Sequence, residues 1–385
     1  MITDSPEHAM IRRTVGEIAD DFGHEYFAQR ARGNGHVDEL WDAAAKAGFV
    51  GVNIPERFGG GGMGMTELAI VIEELAARGC PLLMLIVSPA ICGSILARHG
   101  TAAQQDEWLT GIGDGTKRMA FAITEADAGS NSYEISTMAT RDGDTWRLTG
   151  AKTFITGVDD ADAILVVAKT TEPGGDSNAR DRLSLFIVPT DAEGLERQEI
   201  AMELITPERQ YTLFFDDVAV PADSMVGTVG AGLRVLFTGL NPERIAAAAT
   251  ANGIGRYAIG KAVEYARERT VWRTPIGAHQ GIAHPLAEAH AGLQLARLAT
   301  QHAAALYDAD EDAAEAVNIA KLASADAAEL ALDRAIQTHG GSGFTSEIGL
   351  ADLWFVVRSL RTVPVSREMI LNHIAQHSLG LPTSY

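Results

Sequence analysis

Cysteine is nearly absent: Cys80 and Cys92 are the only two in 385 residues. Two thiols make no disulfide framework, and this usage fits a reducing compartment such as the cytoplasm. Positive charge is scarce as well, with 31 Lys and Arg against 51 Asp and Glu, a formal net charge of −20. A chain of that sign is poorly suited to phosphate backbones or anionic bilayers, so neither nucleic acid nor a membrane is an expected partner. Long hydrophobic runs are missing too. The most apolar stretch, residues 80–87, is broken by Ser88-Pro89 and is far too short to span a bilayer. The opening MITDSPEHAMIRRTVGE has no basic-then-apolar order, so no signal peptide is expected. No P-loop, HExxH, nucleophile elbow or paired CxxC occurs. The eleven histidines are scattered without ligand spacing, and no metal site is expected.

What is present is ordinary globular material, 46% apolar and 21% charged, long enough for two or three domains. Three zones differ in pattern. Residues 1–117 read as a helical domain. Residues 38–47 form an amphipathic run ending at Gly48, and a glycine-rich loop at 58–64 leads into helical spacing over 65–78. Residues 118–226 read as a β domain. Apolar runs at 119–124, 163–168, 183–188 and 212–215 predict strands, and 136–140 with 145–149 predict a hairpin around Asp142-Gly143. Residues 172–182 read as a polar, exposed loop. Residues 227–385 read as a helical domain with helices over 242–269, 285–308, 313–339 and 366–378, Pro242 sitting in a tolerated first-turn position. The expected class is α+β: an N-terminal helical domain, a middle antiparallel β-barrel-like domain and a C-terminal four-helix bundle. The middle zone has too few helices for a doubly wound sheet.

Gly59-Gly60-Gly61-Gly62-Met63-Gly64 satisfies the dinucleotide pattern G-x-G-x-x-G. It lacks the strand–turn–helix setting that gives the pattern meaning, and reads as a flexible connector. Residues 121–131, FAITEADAGSN, are more informative. A short strand runs into a turn of small, hydroxyl and acidic residues. Such a turn exposes N–H groups to a phosphate or a polar ring edge, or simply ends the strand.

This segment resembles the F/Y-A-x-T-E-P-x-A-G-S-D motif of the acyl-CoA dehydrogenase family, and four more motifs follow in that family's order. Residues 150–157, GAKTFITG, resemble G-x-K-x-x-I-T-N. Residues 215–221, FDDVAVP, match F-x-D-V-x-V-P. Tyr265, Ala266 and Arg269, then Pro275-Ile276 and Gln280, match a Y-A-x-x-R helix with its following P-I and Gln. Residues 337–344, QTHGGSGF, match Q-x-x-G-G-x-G-F/Y. The resemblance implies FAD-dependent α,β-dehydrogenation of an acyl-CoA thioester, with an electron-transfer flavoprotein as acceptor. It also implies a homotetramer, or a heterotetramer with a paralogue. It places Phe121, Ile123, Thr124, Ser130 and Ser366 beside the cofactor, with Phe154 and Thr156 on the flavin's face and edge. Arg269, Gln280, Gln337, Gly340 and Gly341 would hold the FAD of a neighbouring subunit. Ser130, Asn241 and Arg244 would contact substrate.

The reaction needs a carboxylate base at the α carbon and donors on the thioester oxygen. Most of the family carries that base in a Y-E-G-T segment near the C-terminus. Residues 363–366 here read Val-Pro-Val-Ser, so Pro364 stands in the glutamate's place and brings no N–H to the oxygen. A branch of the family carries the base on the first helix of the C-terminal domain, just before an arginine. That pattern points to Glu243 in Asn241-Pro242-Glu243-Arg244. Apart from the resemblance, Glu243 reads as an acidic residue steadying a first helical turn. Further departures are Ala126 and Asn131 in the first motif, Trp272-Arg273 after the helical arginine, and Phe355-Val356 in place of a charged pair. Two alternatives stay open: a catalytically impaired subunit of a hetero-oligomer, and a flavin monooxygenase or oxidase on the same scaffold. The acyl group, and CoA against an acyl-carrier protein, are not read from the sequence.

Overall fold

The computed structural model describes residues 4–171 and 183–383, so the polar loop expected at 172–182 lies outside the described residues. The chain opens with α1 (Pro6–Asp20), α2 (Gly23–Arg32), α3 (Asp38–Lys46), α4 (Met65–Ala76), α5 (Ser94–His99), α6 (Ala102–Gln104) and α7 (Thr110–Asp114). Ser5 caps α1 by accepting from His8 N–H, and Pro6 fills the first turn, where its missing N–H costs nothing. Residues 86–93 continue through Pro89 as a π-helical stretch, so the apolar run does not end at Ser88. The glycine-rich loop is not a flexible connector. Gly61, Gly62 and Met63 N–H groups bond to the carbonyls of Gly51, Ile54 and Val52 at 2.8–3.0 Å. A Cβ on Gly60 would lie 2.2 Å from Ile54 O, so the loop is packed against the preceding turn.

The middle domain is one sheet of β1 (Met119–Ala122), β2 (Met138–Asp142), β3 (Thr145–Thr156), β4 (Ala163–Thr171), β5 (Leu183–Pro189), β6 (Leu195–Ile200), β7 (Gln210–Pro221) and β8 (Met225–Val226). Its order is β6-β7-β3-β2-β4-β5-β8, with β1 also on β4. The expectation of a purely antiparallel sheet needs correction, because β1 and β2 both run parallel to β4. Residues 123–137 loop out between them, and the chain then resumes the same direction along the same edge. The structure also adds β6, which sequence patterning missed. Its LERQEI sequence is mostly exposed and alternates nothing. β4 shows why its sequence reads as a continuous apolar run. Ala163, Leu165 and Val167 pack toward the N-terminal helices, while Ile164, Val166 and Ala168 face the sheet's own core with Trp146 and Phe186.

The C-terminal domain contains α8 (Gly232–Glu268), the hairpin β9 (Thr270–Val271) and β10 (Thr274–Pro275), α9 (Gln280–Asp308), α10 (Ala314–His339), α11 (Trp354–Ser359) and α12 (Arg367–His373). Three helices are long. The fourth expected one is the short α12, which passes into a π turn over 374–378. Alanines such as Ala258, Ala289 and Ala328 line the buried seams and let the long helices approach closely. Two expected starts are wrong. α9 begins at Gln280 rather than Pro285, and α8 begins at Gly232, leaving Pro242 inside the helix. An interior proline frees the carbonyl four residues earlier. Here that carbonyl, on Thr238, accepts from Tyr307 Oη on α9 at 3.1 Å, so the interior position is satisfied.

α4 ties the first domain to the last. Its buried Glu73 and Glu74 gather Arg256 of α8 at 2.7 and 2.8 Å, Arg297 of α9 at 2.7 Å and Arg12 of α1 at 3.3 Å. Asp308, closing α9, accepts from the N–H groups of Met65 and Thr66 and so caps α4 from outside.

Candidate active site

The turn that follows β1 is held from below by a buried pair. Lys152 Nζ on β3 donates to Glu125 Oε1 and to Ile123 O, both at 2.9 Å. Lys152 is fully buried. Glu125 also accepts from Ser136 N–H at 2.5 Å, Ser136 Oγ at 2.7 Å and Thr137 N–H at 3.0 Å. Burial opposes the Glu125 charge, but Lys152 and these donors outweigh it and hold the carboxyl at about 2. The ammonium has fewer acceptors, and burial lowers it to about 8 despite Glu125. Neither residue was singled out in the sequence, although both sit in the quoted motifs. Lys152 shares the inward parity of Trp146 and Leu148 on β3, a signal that a lysine there needs a buried partner.

The pair leaves the tip of the turn open. Ala126, Asp127, Gly129 and Ser130 are exposed, while Phe121, Ile123 and Thr124 are half-buried along its base. Just beyond, the β3–β7 register shifts between Lys152 and Ile155. This bulge puts Phe154 at φ +57° and turns its ring outward, 56% exposed, while Ile155 takes the buried position. An aromatic held in that backbone region costs about 1–3 kcal/mol, a cost typical of functional sites. Thr156 stands two residues on, its Oγ1 3.0 Å from Gln210 Nε2. An outward ring, an open glycine-containing turn and nearby hydroxyls fit one face and edge of a flat, polar-rimmed ring system such as a flavin.

Glu243 lies in the fourth turn of α8, eleven residues from its start, so it is not a first-turn helix stabiliser. Among the described residues its carboxylate has no hydrogen-bond or ion-pair partner. It is half-buried, and burial raises it to about 7, with Arg244 and Lys321 pulling it back. The Cys92 thiol, pushed up by burial and by the Glu243 charge, donates to Ala120 O of β1 at 3.6 Å. The 86–93 helix therefore links Glu243 to the strand carrying Phe121. Arg244 Nη1 is spent on Leu240 O and Asn241 Oδ1 at 3.3 and 3.2 Å, while its buried Nε has no partner. Asn241 thus acts first as an acceptor for Arg244. Ser366 caps α12 by accepting from Met369 N–H at 3.3 Å.

The remaining expected cofactor residues sit elsewhere. Arg269, Gln280, Gln337, Gly340 and Gly341 are all exposed, at the end of the bundle where α8 finishes, α9 begins and α10 finishes. Tyr265 stacks on His339 at 4.5 Å and joins these helix ends. Gly340 has φ +59°, and neither it nor Gly341 has any atom within 4 Å of where a Cβ would stand. A cationic side chain beside bare backbone fits a pyrophosphate. From Glu243 to Arg269 is about 39 Å of helix at 1.5 Å per residue. The structure gathers two clusters, each suited to part of a dinucleotide, and does not bring them together within one chain.

Family models for the acyl-CoA dehydrogenase N-terminal, middle and C-terminal domains match residues 5–116, 120–218 and 230–379. Acyl-CoA dehydrogenase FadE12 of Mycobacterium tuberculosis is 53% identical over 384 residues, covering 99% of this chain and 98% of the relative. The caffeyl-CoA reductase-Etf complex subunit CarC of Acetobacterium woodii is 31% identical, covering 89% and 90%. Among solved structures, a glutaryl-CoA dehydrogenase of Mycobacterium smegmatis in complex with FADH2 superposes with a TM-score of 0.91 at 25% identity, covering 99% and 97%.

Proposed function

The chain belongs to the acyl-CoA dehydrogenase family, and we propose that it oxidises an acyl-CoA thioester with Glu243 as the base. The observation that carries this reading is a half-buried carboxylate with no partner among the described residues, held near 7, beside the 86–93 helix whose Cys92 bonds the candidate flavin strand. A base at that value is poised for proton transfer near neutral pH. Glu243 takes the α proton, and Arg244, with its Nε unpaired, faces the anionic CoA portion. FAD, when bound, supplies the two-electron acceptor for the β hydride. Phe121, Ile123, Thr124, Ser130, Phe154, Thr156 and Ser366 would hold its ring end in one copy. Arg269, Gln280, Gln337, Gly340 and Gly341 would hold the diphosphate end from a second copy, which requires an assembly of at least two copies; the tetramer is what the family resemblance adds. An electron-transfer flavoprotein as acceptor is supported by the relative named for its Etf complex.

The thioester oxygen needs donors, and Pro364 has none to give. Among the described residues the N–H groups of Val365 and Ser366 have no partner, and they are the donors this turn can offer. The same proline favours a second reading, an impaired subunit that works only beside a paralogue. One experiment separates the two. The chain is purified alone and titrated anaerobically with butyryl-, isovaleryl- and palmitoyl-CoA while flavin absorbance is followed. Bleaching by any of them supports the first reading, and a yellow protein that never bleaches supports the second. In the competent case Glu243→Gln should retain flavin and lose about 10²–10⁴ in turnover. Activity within a few-fold of wild type removes Glu243 from the role.

A further inference from the structure

Lys321 lies on α10 where the helix is otherwise sealed. Val317, Ala320, Ser324, Ala325 and Ala328 share its buried face, and Lys321 itself is 2% exposed. A lysine at such a place normally finds a carboxylate within ion-pair distance. Among the described residues this one does not. Its single hydrogen bond runs from Nζ to Val365 O, at 2.5 Å. That carbonyl belongs to the 363–366 turn, which Arg361 and Arg367 also fasten to α10 through Asp326, both at 3.3 Å. Lys321 is therefore the most buried of these three attachments and the one whose charge acts on Glu243.

We propose that Lys321 is a positioning residue: it anchors the 363–366 turn through Val365 O and supplies a positive charge, held in no ion pair among the described residues, that keeps Glu243 available as a base. The proposal rests on the reading of Glu243 given above. A methionine would fill the same space, so the ammonium needs a reason, and the reason lies in the charges around it. Glu243 and Arg244 face it from α8, Asp326 lies on its own helix, and Glu368 faces it from α12. Around Glu243 the further groups are Arg244 and Cys92, and beyond Arg244 lies His373. Burial drives Glu243 toward its protonated, useless form, and the Lys321 charge opposes that. Burial and the Arg244 charge weaken the hold of Lys321 on its own proton, bringing it to about 8. The base and the cation thus change charge within about a unit of each other.

The sign of the test follows. Glu243 must be ionised to act, so activity rises with pH through its titration. Removing a nearby cation makes ionisation harder and moves that rise to higher pH. The experiment records kcat/KM from pH 5.5 to 8 for wild type, Lys321→Met, Lys321→Arg and Glu243→Gln in the holoenzyme. The substrate is whichever of butyryl-, isovaleryl- and palmitoyl-CoA the wild type oxidises, with an artificial electron-accepting dye. Flavin content and melting temperature are measured beside it. Lys321→Met should shift the acid limb upward by about half to one pH unit, a loss of roughly 3- to 10-fold below the limb. Lys321→Arg should restore the wild-type limb, because it keeps the charge. If Lys321→Met will not fold, Lys321→Gln is read the same way. A wild-type limb in a folded, flavin-loaded Lys321→Met or Lys321→Gln overturns the proposal while Glu243 stands. A Glu243→Gln variant that keeps turnover instead removes the base, and the proposal falls with it.

Discussion

The buried pair beneath the β1 turn makes an asymmetric prediction. Glu125→Ala strips Lys152 of its carboxylate and leaves a fully buried ammonium with one acceptor, the Ile123 carbonyl at 2.9 Å. Breaking a buried pair in that direction should cost about 3–5 kcal/mol. Lys152→Met does the reverse. Glu125 keeps three donors, from Ser136 N–H, Ser136 Oγ and Thr137 N–H, so its charge stays solvated by the protein. The expected cost is smaller, about 1.5–3 kcal/mol for the charge-assisted bond to Glu125, with the Ile123 carbonyl also losing its donor. Urea unfolding of both variants, followed by intrinsic fluorescence, gives the order, and flavin retained after gel filtration reports whether the turn has moved. The pH dependence has a definite sign. A carboxyl at about 2 in the folded chain and 4.5 unfolded stabilises above pH 4.5 and loses that contribution as pH falls toward 2. Glu125→Gln should flatten this window. Lys152→Met proving as costly as Glu125→Ala, or an acid window unchanged in Glu125→Gln, would refute the claim that the carboxylate is the better solvated partner.

Other outcomes follow from single contacts. Tyr307→Phe removes the donor on the Thr238 carbonyl that Pro242 leaves free, and should cost about 0.5–1.5 kcal/mol in urea unfolding. No loss would mean the carbonyl finds another donor. Trp272 and Arg273 form the β9–β10 turn with φ +49° and +69°, values that favour Asn-Gly. Arg273→Gly should therefore raise the melting temperature of the flavin-free chain, by about 1 kcal/mol of relieved strain. A lowered midpoint would assign the arginine a stabilising contact. Arg269→Ala should release flavin and loosen the assembly, read by absorbance and light scattering. An unchanged holo-oligomer would move the diphosphate site elsewhere.

The zones and most elements were legible because they rest on local periodicity. β4 announces itself as a continuous apolar run buried on both faces, and the α10 stripe through apolar residues at a spacing of 3.6. Pro242 misled because proline is a strong local stop signal. Its tolerance inside α8 depends on Tyr307, sixty-five residues away, which no local pattern contains. The glycine loop misled for a related reason, since its rigidity comes from the carbonyls of residues 51–54. Phe154 and Glu243 were reached by family resemblance, and the bulge that turns Phe154 outward is a register event invisible in composition. Lys152 and Lys321 left a trace that went unread. Each is a lysine at a position whose parity or helical phase is otherwise apolar, and such a residue asks for a buried partner.

α8 has a mechanical consequence. It is one unbroken rod of 37 residues, about 55 Å long. The carboxylate is fixed to the rod about 39 Å from its far end, where the exposed arginine stands. A one-degree swing about the carboxylate moves that end by about 0.7 Å. Misplacement of reacting groups by about 1 Å can cost two orders of magnitude in rate. A shift of about 0.7 Å at the far end turns the carboxylate by only about one degree, which stays well below that scale, so small surface changes there should leave the base in place and act on the cofactor and the assembly instead.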